Sequence, residues 1–248
     1  MNRLEKWKGV WERKGRELKK EDLTLRDLIA MDGFDTATGT MTEETWMNVV
    51  EMVKRKLNLR KGDFLLEVGC GAGAMLLPLS KMGINVAGVD YSTSLIEVAK
   101  KVIPNLIAHV SEACELPFKN DEFDAILSFS VFFYFPDYEY AEKVLSEMLR
   151  VSKKDAKILI ADVPDLSKKE ESERHRREAL SEEEYNRLYS EHSHLYYDKK
   201  WFEDFANKNG FFVEIFDQNT EGMIILLLGL TFCCGGNKIN YKVCFEVK

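Results

Sequence analysis

The 248-residue chain predicts an α/β domain, doubly wound about a mostly parallel sheet. Three observations carry that expectation. Short, continuously apolar runs alternate with helix-length amphipathic stretches through the middle of the chain. A glycine cluster, LLEVGCGAGA (Leu65–Ala74), closes the first apolar run and leads into a helical pattern. The second run ends on an acid, Asp90, roughly 20 residues after Gly69. Uninterrupted apolar strands separated by helices belong in a parallel sheet covered on both faces.

The elements follow in order. Leu4, Trp7, Trp11 and Leu18 share one helical face in a segment otherwise dense in charge, so residues 1–45 read as an N-terminal helical cap. The polar turn DGFDTATGT separates that helix from a second one over Glu43–Leu57. Residues 46–165 read as a cofactor-binding core. It comprises FLLEV, a helix from about Ala72, INVAGV, a helix N-capped by Ser92 or Thr93, NLIAHV, FDAILSF, a helix near Tyr138–Val151, and AKILIADV. Residues 166–200 open on a charge run whose plain reading is a solvated helix. Tyr185, Leu188, Tyr189, His192 and Tyr196 then form a helical apolar stripe, so this excursion is expected to pack back as a helical lid. Residues 201–248 supply a last helix and a terminal hairpin of FFVEIFDQ with YKVCFEVK, joined through the apolar run MIILLLGLTFCC. Nothing divides the chain, which reads as one domain over 1–248.

Composition excludes several classes. An apolar share of 45% with 31% charged residues is that of a globular protein with a core. A net charge of −7 leaves no basic footprint for nucleic acid or anionic lipid. The N-terminus lacks an apolar h-region, and Met223–Cys234 is shorter than the about 20 residues a membrane span needs, so a buried strand is expected there. Cys70, Cys114, Cys233, Cys234 and Cys244 make no even framework, which points to reduced thiols and a cytoplasmic protein with no metal site.

The glycines fit Gly69-x-Gly71-x-Gly73 and the dinucleotide pattern Gly69-x-Gly71-x-x-Ala74 equally well. Glu67 separates the two. A carboxylate beside a pyrophosphate is repulsive, whereas a ligand carrying an ammonium and a sulfonium has the opposite preference. Asp90 suits both ribose hydroxyls of a nucleoside, and Tyr91 can lie against its base. Downstream stands SEACELPFKNDEFDAILSF (Ser111–Phe129). In this stretch, in LLEVGCGAGA and in VAGVDYS, the chain resembles the class I S-adenosylmethionine-dependent methyltransferases, over roughly residues 45–165.

The resemblance implies a Rossmann-like sheet of seven strands with the last antiparallel. It also implies S-adenosylmethionine as cofactor. Contacts are then expected from Glu67, Gly69, Cys70, Gly71 and Gly73, and from Asp90 and Tyr91. Glu112 would accept from the adenine amino group, the Ala113 amide would meet the ring, and Phe129 and Ser130 would close the site. Phe133 and Tyr134 stand where small-molecule relatives carry His-His. A base is needed only for a hydroxyl or protonated amine acceptor, and Tyr134, His192 and His194 are the candidates, each beside a plain packing or surface role. The expected function is methyl transfer to O or N of a small molecule, by a monomer or homodimer with no nucleic-acid or membrane partner. A weaker resemblance, through MDGFD and HLYYDKKWFEDFANKNGFFVEIFDQ, points to polysaccharide and natural-product pathways. An NAD(P)-dependent oxidoreductase and a non-catalytic cofactor-binding subunit remain the alternatives.

Overall fold

Strand β1 (Phe64–Val68) is the spine on which the other elements are laid. The computed structural model describes residues 3–17, 20–34, 41–183, 185, 194–218 and 227–233. The further strands are β2 (Asn85–Asp90), β3 (Ile107–Val110), β4 (Phe123–Phe129), β5 (Ser152–Pro164), β6 (Phe212–Gln218) and β7 (Leu227–Cys233). They form one sheet in the order β3-β2-β1-β4-β5-β7-β6. The first five are parallel, and β7 runs antiparallel to both neighbours. The order reverses at β1, so the crevice beyond the carboxyl ends of β1, β2 and β4 lies at the topological switch point, where open α/β sheets bind ligands.

Side chains along the strands alternate between two cores. Leu65, Ala125, Leu127, Leu159 and Ala161 pack on one face with the helices α2 (Leu25–Met31), α3 (Glu43–Leu57), α4 (Leu76–Lys81) and α5 (Thr93–Val102). Leu66, Val68, Ile126, Ile158 and Ile160 pack on the other with α6 (Tyr138–Val151) and α8 (Lys199–Asn209). This period of two, hydrophobic on both faces, accounts for the continuous apolar runs. Two further helices are α1 (Arg3–Glu17), which packs along α5, and α7 (Lys169–Ala179), which follows a short turn after β5.

Several expectations change. Helix α2 falls within the 1–45 cap, in a stretch to which the sequence assigns no helix of its own. It is started by a Thr24–Asp27 capping box, in which Thr24 Oγ1 accepts from the Asp27 amide and the Asp27 carboxylate accepts from the Thr24 amide. Helix α4 begins at Leu76 rather than Ala72, because Gly71 and Gly73 hold φ of 52° and 89°, which no right-handed helix admits. The hairpin partner of FFVEIFDQ is the apolar run itself, as β7. An inner strand flanked on both edges suits LLGLTFC better than the polar-alternating YKVCFEVK, which lies outside the described residues. Tyr196 does not continue a helical stripe. It belongs to an extended strap leading to the Asp165–Tyr197 bridge, while Leu188, Tyr189 and His192 lie outside the described residues.

Candidate active site

The crevice is lined by the ends of β1, β2 and β4 and by α1, with Leu4, Trp11, Glu67, Asp90, Phe129 and Tyr134 among its residues. Its floor is the loop that follows β1. Gly69 and Cys70 donate their amides to Val89 O at 2.8 and 2.9 Å, tying this turn to β2. A Cβ on Gly71 would strike the Asp32 carboxylate, so only glycine admits that approach.

Three carboxylates converge here. Glu67 is buried, and its Oε2 has no hydrogen-bond partner among the described residues. Burial, with Asp32 and Asp90 nearby, raises its carboxyl well above the usual range. Asp90 accepts from the Gly71 amide at 3.1 Å and the Ser92 amide at 2.8 Å, yet burial still lifts it to about 6. Asp32, which sequence reasoning passed over inside a polar turn, accepts from the Ala72 amide at 2.6 Å and the Ala74 amide at 3.0 Å. Burial, opposed by those two hydrogen bonds and reinforced by Asp90, pushes it to about 7. Stacked acids with an unpartnered buried oxygen form a site for a cation. The donor set therefore fits the ammonium and sulfonium of S-adenosylmethionine and disfavours a pyrophosphate.

Tyr91, Ser111, Ala113 and Tyr140 line the cleft beyond β2 and β3, and Phe129 and Ser130 line it at the end of β4. The Tyr91 hydroxyl is buried without a partner among the described residues, and burial raises its pKa. Cys70 also borders the cleft, its thiol held protonated by burial and the neighbouring acids. Glu112 departs from expectation. Its exposed carboxylate accepts from Tyr140 Oη at 3.3 Å, and the wall at this point is made by Ser111 and Ala113. Gly73 shapes the loop without lining the cleft.

The opposite wall is aromatic. Tyr134 lines the cleft with Trp11 of α1, their ring centroids 5.6 Å apart, and Trp7 meets Tyr134 edge-on at 4.6 Å. His194 packs behind them, 4.6 Å from Phe133 and 5.9 Å from Tyr134. Its Nδ1 lies 2.9 Å from Arg176 Nη2. A guanidinium only donates, so Nδ1 accepts, and the proton of the neutral ring sits on Nε2. With its lone pair engaged, His194 in this arrangement is not a base. His192 lies outside the described residues. Sequence reasoning also passed over Trp46 and Arg176. Trp46 donates to Ala74 O at 3.0 Å beneath the loop, and Arg176 was read as part of a solvated run but is buried.

Comparisons with known proteins agree with the geometry. Residues 66–160 match the family described as a methyltransferase domain. A demethylmenaquinone methyltransferase of Renibacterium salmoninarum is 31% identical over 101 residues, 41% of each chain. A methyltransferase of Streptomyces halstedii is 28% identical over 127 residues, 48% of this chain and 45% of that one. The chain thus spans less than half the length of these curated relatives. Among solved structures, magnesium protoporphyrin IX methyltransferase of Synechocystis PCC 6803 superposes with a TM-score of 0.60 at 14% identity, over 94% of this chain and 97% of that one. At that identity the likeness shows the fold.

Proposed function

We propose that the chain, whose residues 66–160 match a methyltransferase domain, is an S-adenosylmethionine-dependent methyltransferase acting on a small-molecule acceptor. The observation that carries the reading is the buried, unpartnered Oε2 of Glu67 below the glycine loop. In this reading Glu67 and Asp32 hold the methionine end of the cofactor. Asp90 takes the ribose hydroxyls, and Tyr91 with the 111–113 turn takes the base. The cofactor supplies a methyl carbon activated by its sulfonium. The protein aligns the acceptor against it and excludes water, and alignment alone is worth about 7–11 kcal/mol.

The acceptor side lies between α1 and the turn after β4, where Trp11 and Tyr134 offer flat faces. That wall suits a planar acceptor. A quinol is one instance in keeping with the demethylmenaquinone methyltransferases among the relatives, and a sugar or other natural-product hydroxyl is the broader class. Residues 1–248 work as one domain in this reading, with 1–45 as cap, 46–165 as core, 166–200 as lid and 201–248 as the last helix and strands. The test is mass spectrometry of ligand released from the purified protein, followed by a screen for transfer of a labelled methyl group to metabolite pools. Recovery of S-adenosylhomocysteine and a labelled small molecule supports the reading. A co-purified nicotinamide dinucleotide contradicts it.

A further inference from the structure

Two residues at adjacent strand ends have backbones that non-glycine residues rarely adopt. Ser130, just after β4, has φ of 59°, and Asp162, near the end of β5, has φ of 61°. Asp162 sits where the register of β5 against β7 slips between Ile160 and Val163. Such a bulge re-aims a side chain out of the alternating pattern of the strand. Strain of this kind persists only where surrounding structure enforces it.

Here the two side chains meet. Ser130 Oγ donates a hydrogen bond to Asp162 Oδ2, and the Ser130 amide donates to Ala161 O at 3.1 Å. Ser130 lines the crevice, and Asp162 lies behind it at 7% exposure. Burial lifts the Asp162 carboxyl to about 6, against the lowering effects of the Ser130 hydroxyl and the Arg176 charge. The titratable and charged groups of the adjoining network are Arg176, Glu173 and Tyr185 around α7, and His194 and Tyr196 of the strap. Arg176 Nη1 donates to Glu173 Oε1 at 2.9 Å and Tyr196 Oη at 3.0 Å, while Tyr185 donates to Glu173 Oε2 at 2.6 Å. These contacts hold the Arg176 guanidinium in place on the Asp162 side of the acceptor wall.

We propose that Ser130 and Asp162 form the proton relay of the acceptor site and that the acceptor carries a dissociable hydroxyl on a planar ring. The proposal rests on the methyltransferase reading. Ser130 touches the acceptor, and Asp162 is a positioning residue that acts through it. The acceptor O–H gives its proton to Ser130 Oγ, whose own proton passes to Asp162 Oδ2. The acceptor oxygen bonds to the methyl carbon of the donor substrate. The carbon–sulfur bond breaks with its electron pair left on sulfur, and the sulfonium becomes a neutral thioether. Asp162 ends protonated and returns that proton to water. A relay ending on a carboxylate serves an acceptor with a proton to lose, and the Trp11–Tyr134 wall suits a flat one.

The test uses Asp162→Asn, which keeps an acceptor for the Ser130 hydroxyl, and Ser130→Ala. Labelled transfer to a panel of planar phenols is followed against pH, and S-adenosylhomocysteine binding is measured by calorimetry. Carbon NMR follows the Asp162 carboxyl in the unloaded protein. The wild-type carboxyl is expected to titrate at about 6 and to move higher in Ser130→Ala, which removes a lowering hydrogen bond. The transfer rate should rise with pH through that value in the wild type, and Ser130→Ala, which breaks the relay, should lose that limb together with about 100-fold or more of the rate. Asp162→Asn should lose about 100-fold or more in kcat, with its acid limb gone and S-adenosylhomocysteine binding retained. Transfer by Asp162→Asn within about threefold of wild type on an unchanged pH profile overturns the relay. So does Ser130→Ala with rate and pH profile both close to wild type, which decides the matter if Asp162→Asn fails to fold. Binding of S-adenosylhomocysteine with no transfer to any phenol overturns the acceptor class alone. Absence of that binding removes the methyltransferase reading and the relay with it.

Discussion

Glu67 and Asp90 stand on successive parallel strands, and their roles separate by what each oxygen already holds. Glu67 has a buried oxygen with nothing to accept from, so a cationic ligand fills an existing deficit. Glu67→Gln is expected to weaken S-adenosylmethionine binding by about 1–3 kcal/mol while leaving the unloaded fold at least as stable, since burial and the neighbouring acids already disfavour the charged carboxylate there. Calorimetry and thermal melts check both halves, and unchanged affinity would move the ammonium elsewhere. Asp90 differs because its carboxylate already accepts from the Gly71 and Ser92 amides. Asp90→Ala should therefore cost about 2–4 kcal/mol in cofactor binding and also lower the melting temperature, because two enclosed amides lose their acceptor. A variant with normal S-adenosylhomocysteine affinity would show that Asp90 does not hold the ribose. Both residues were legible in the sequence, since each is an acid closing an apolar run. Asp32 and Asp162 were not. Asp32 reaches the glycine loop from about 40 residues upstream, and the aim of Asp162 depends on a bulge that no local pattern records.

Helix α1 approaches α5 at Gly15. A Cβ there would lie 2.9 Å from the Leu95 amide nitrogen and closer still to the Ser94 side chain. Next to this crossing, Glu12 Oε2 accepts from Ser92 Oγ at 3.0 Å and the Ser94 amide at 3.3 Å, at the start of α5, where a negative charge is favoured. Helix propensity alone predicts that Gly15→Ala stabilises by about 1 kcal/mol. The packing predicts the opposite: α1 is displaced, amide protection over residues 3–17 falls, and cofactor affinity drops with the loss of the Trp11 wall. Increased protection in the variant would show that α1 docks without this close approach. The same helix illustrates what an element's sequence can disclose. The Leu4–Trp7–Trp11 face was visible as a stripe, but its target was not, because the crossing is set by a glycine with no pattern of its own. Helix α2 was missed because seven residues carry too short a period, although its Thr24–Asp27 box is a readable signal. The strand β7 was legible as an apolar run and misplaced in the hairpin, since strand order is a property of the sheet.

Across the whole molecule, the acids at the carboxyl edge of the sheet make stability depend on pH in an unusual direction. Asp90 and Asp162 at about 6 and Asp32 at about 7 all hold protons more tightly when folded than when unfolded. Their contribution is present on the acid side and is lost as pH rises from about 4 to about 7. The unloaded protein should thus need less urea to unfold at pH 8 than at pH 5, and Asp32→Asn should flatten the upper part of that slope. A urea midpoint that rises steadily from pH 5 to pH 8 would show that these acids are ionised throughout. A cationic ligand acts against this loss, so its affinity should increase over the same range. The central claim is that this edge is a seat for an adenosyl ligand with a cationic methionine end, and titration calorimetry tests it most directly. S-adenosylhomocysteine should bind in the micromolar range, about −8 kcal/mol, and NADH should give no heat. Tight NADH binding with no heat from S-adenosylhomocysteine would contradict the claim.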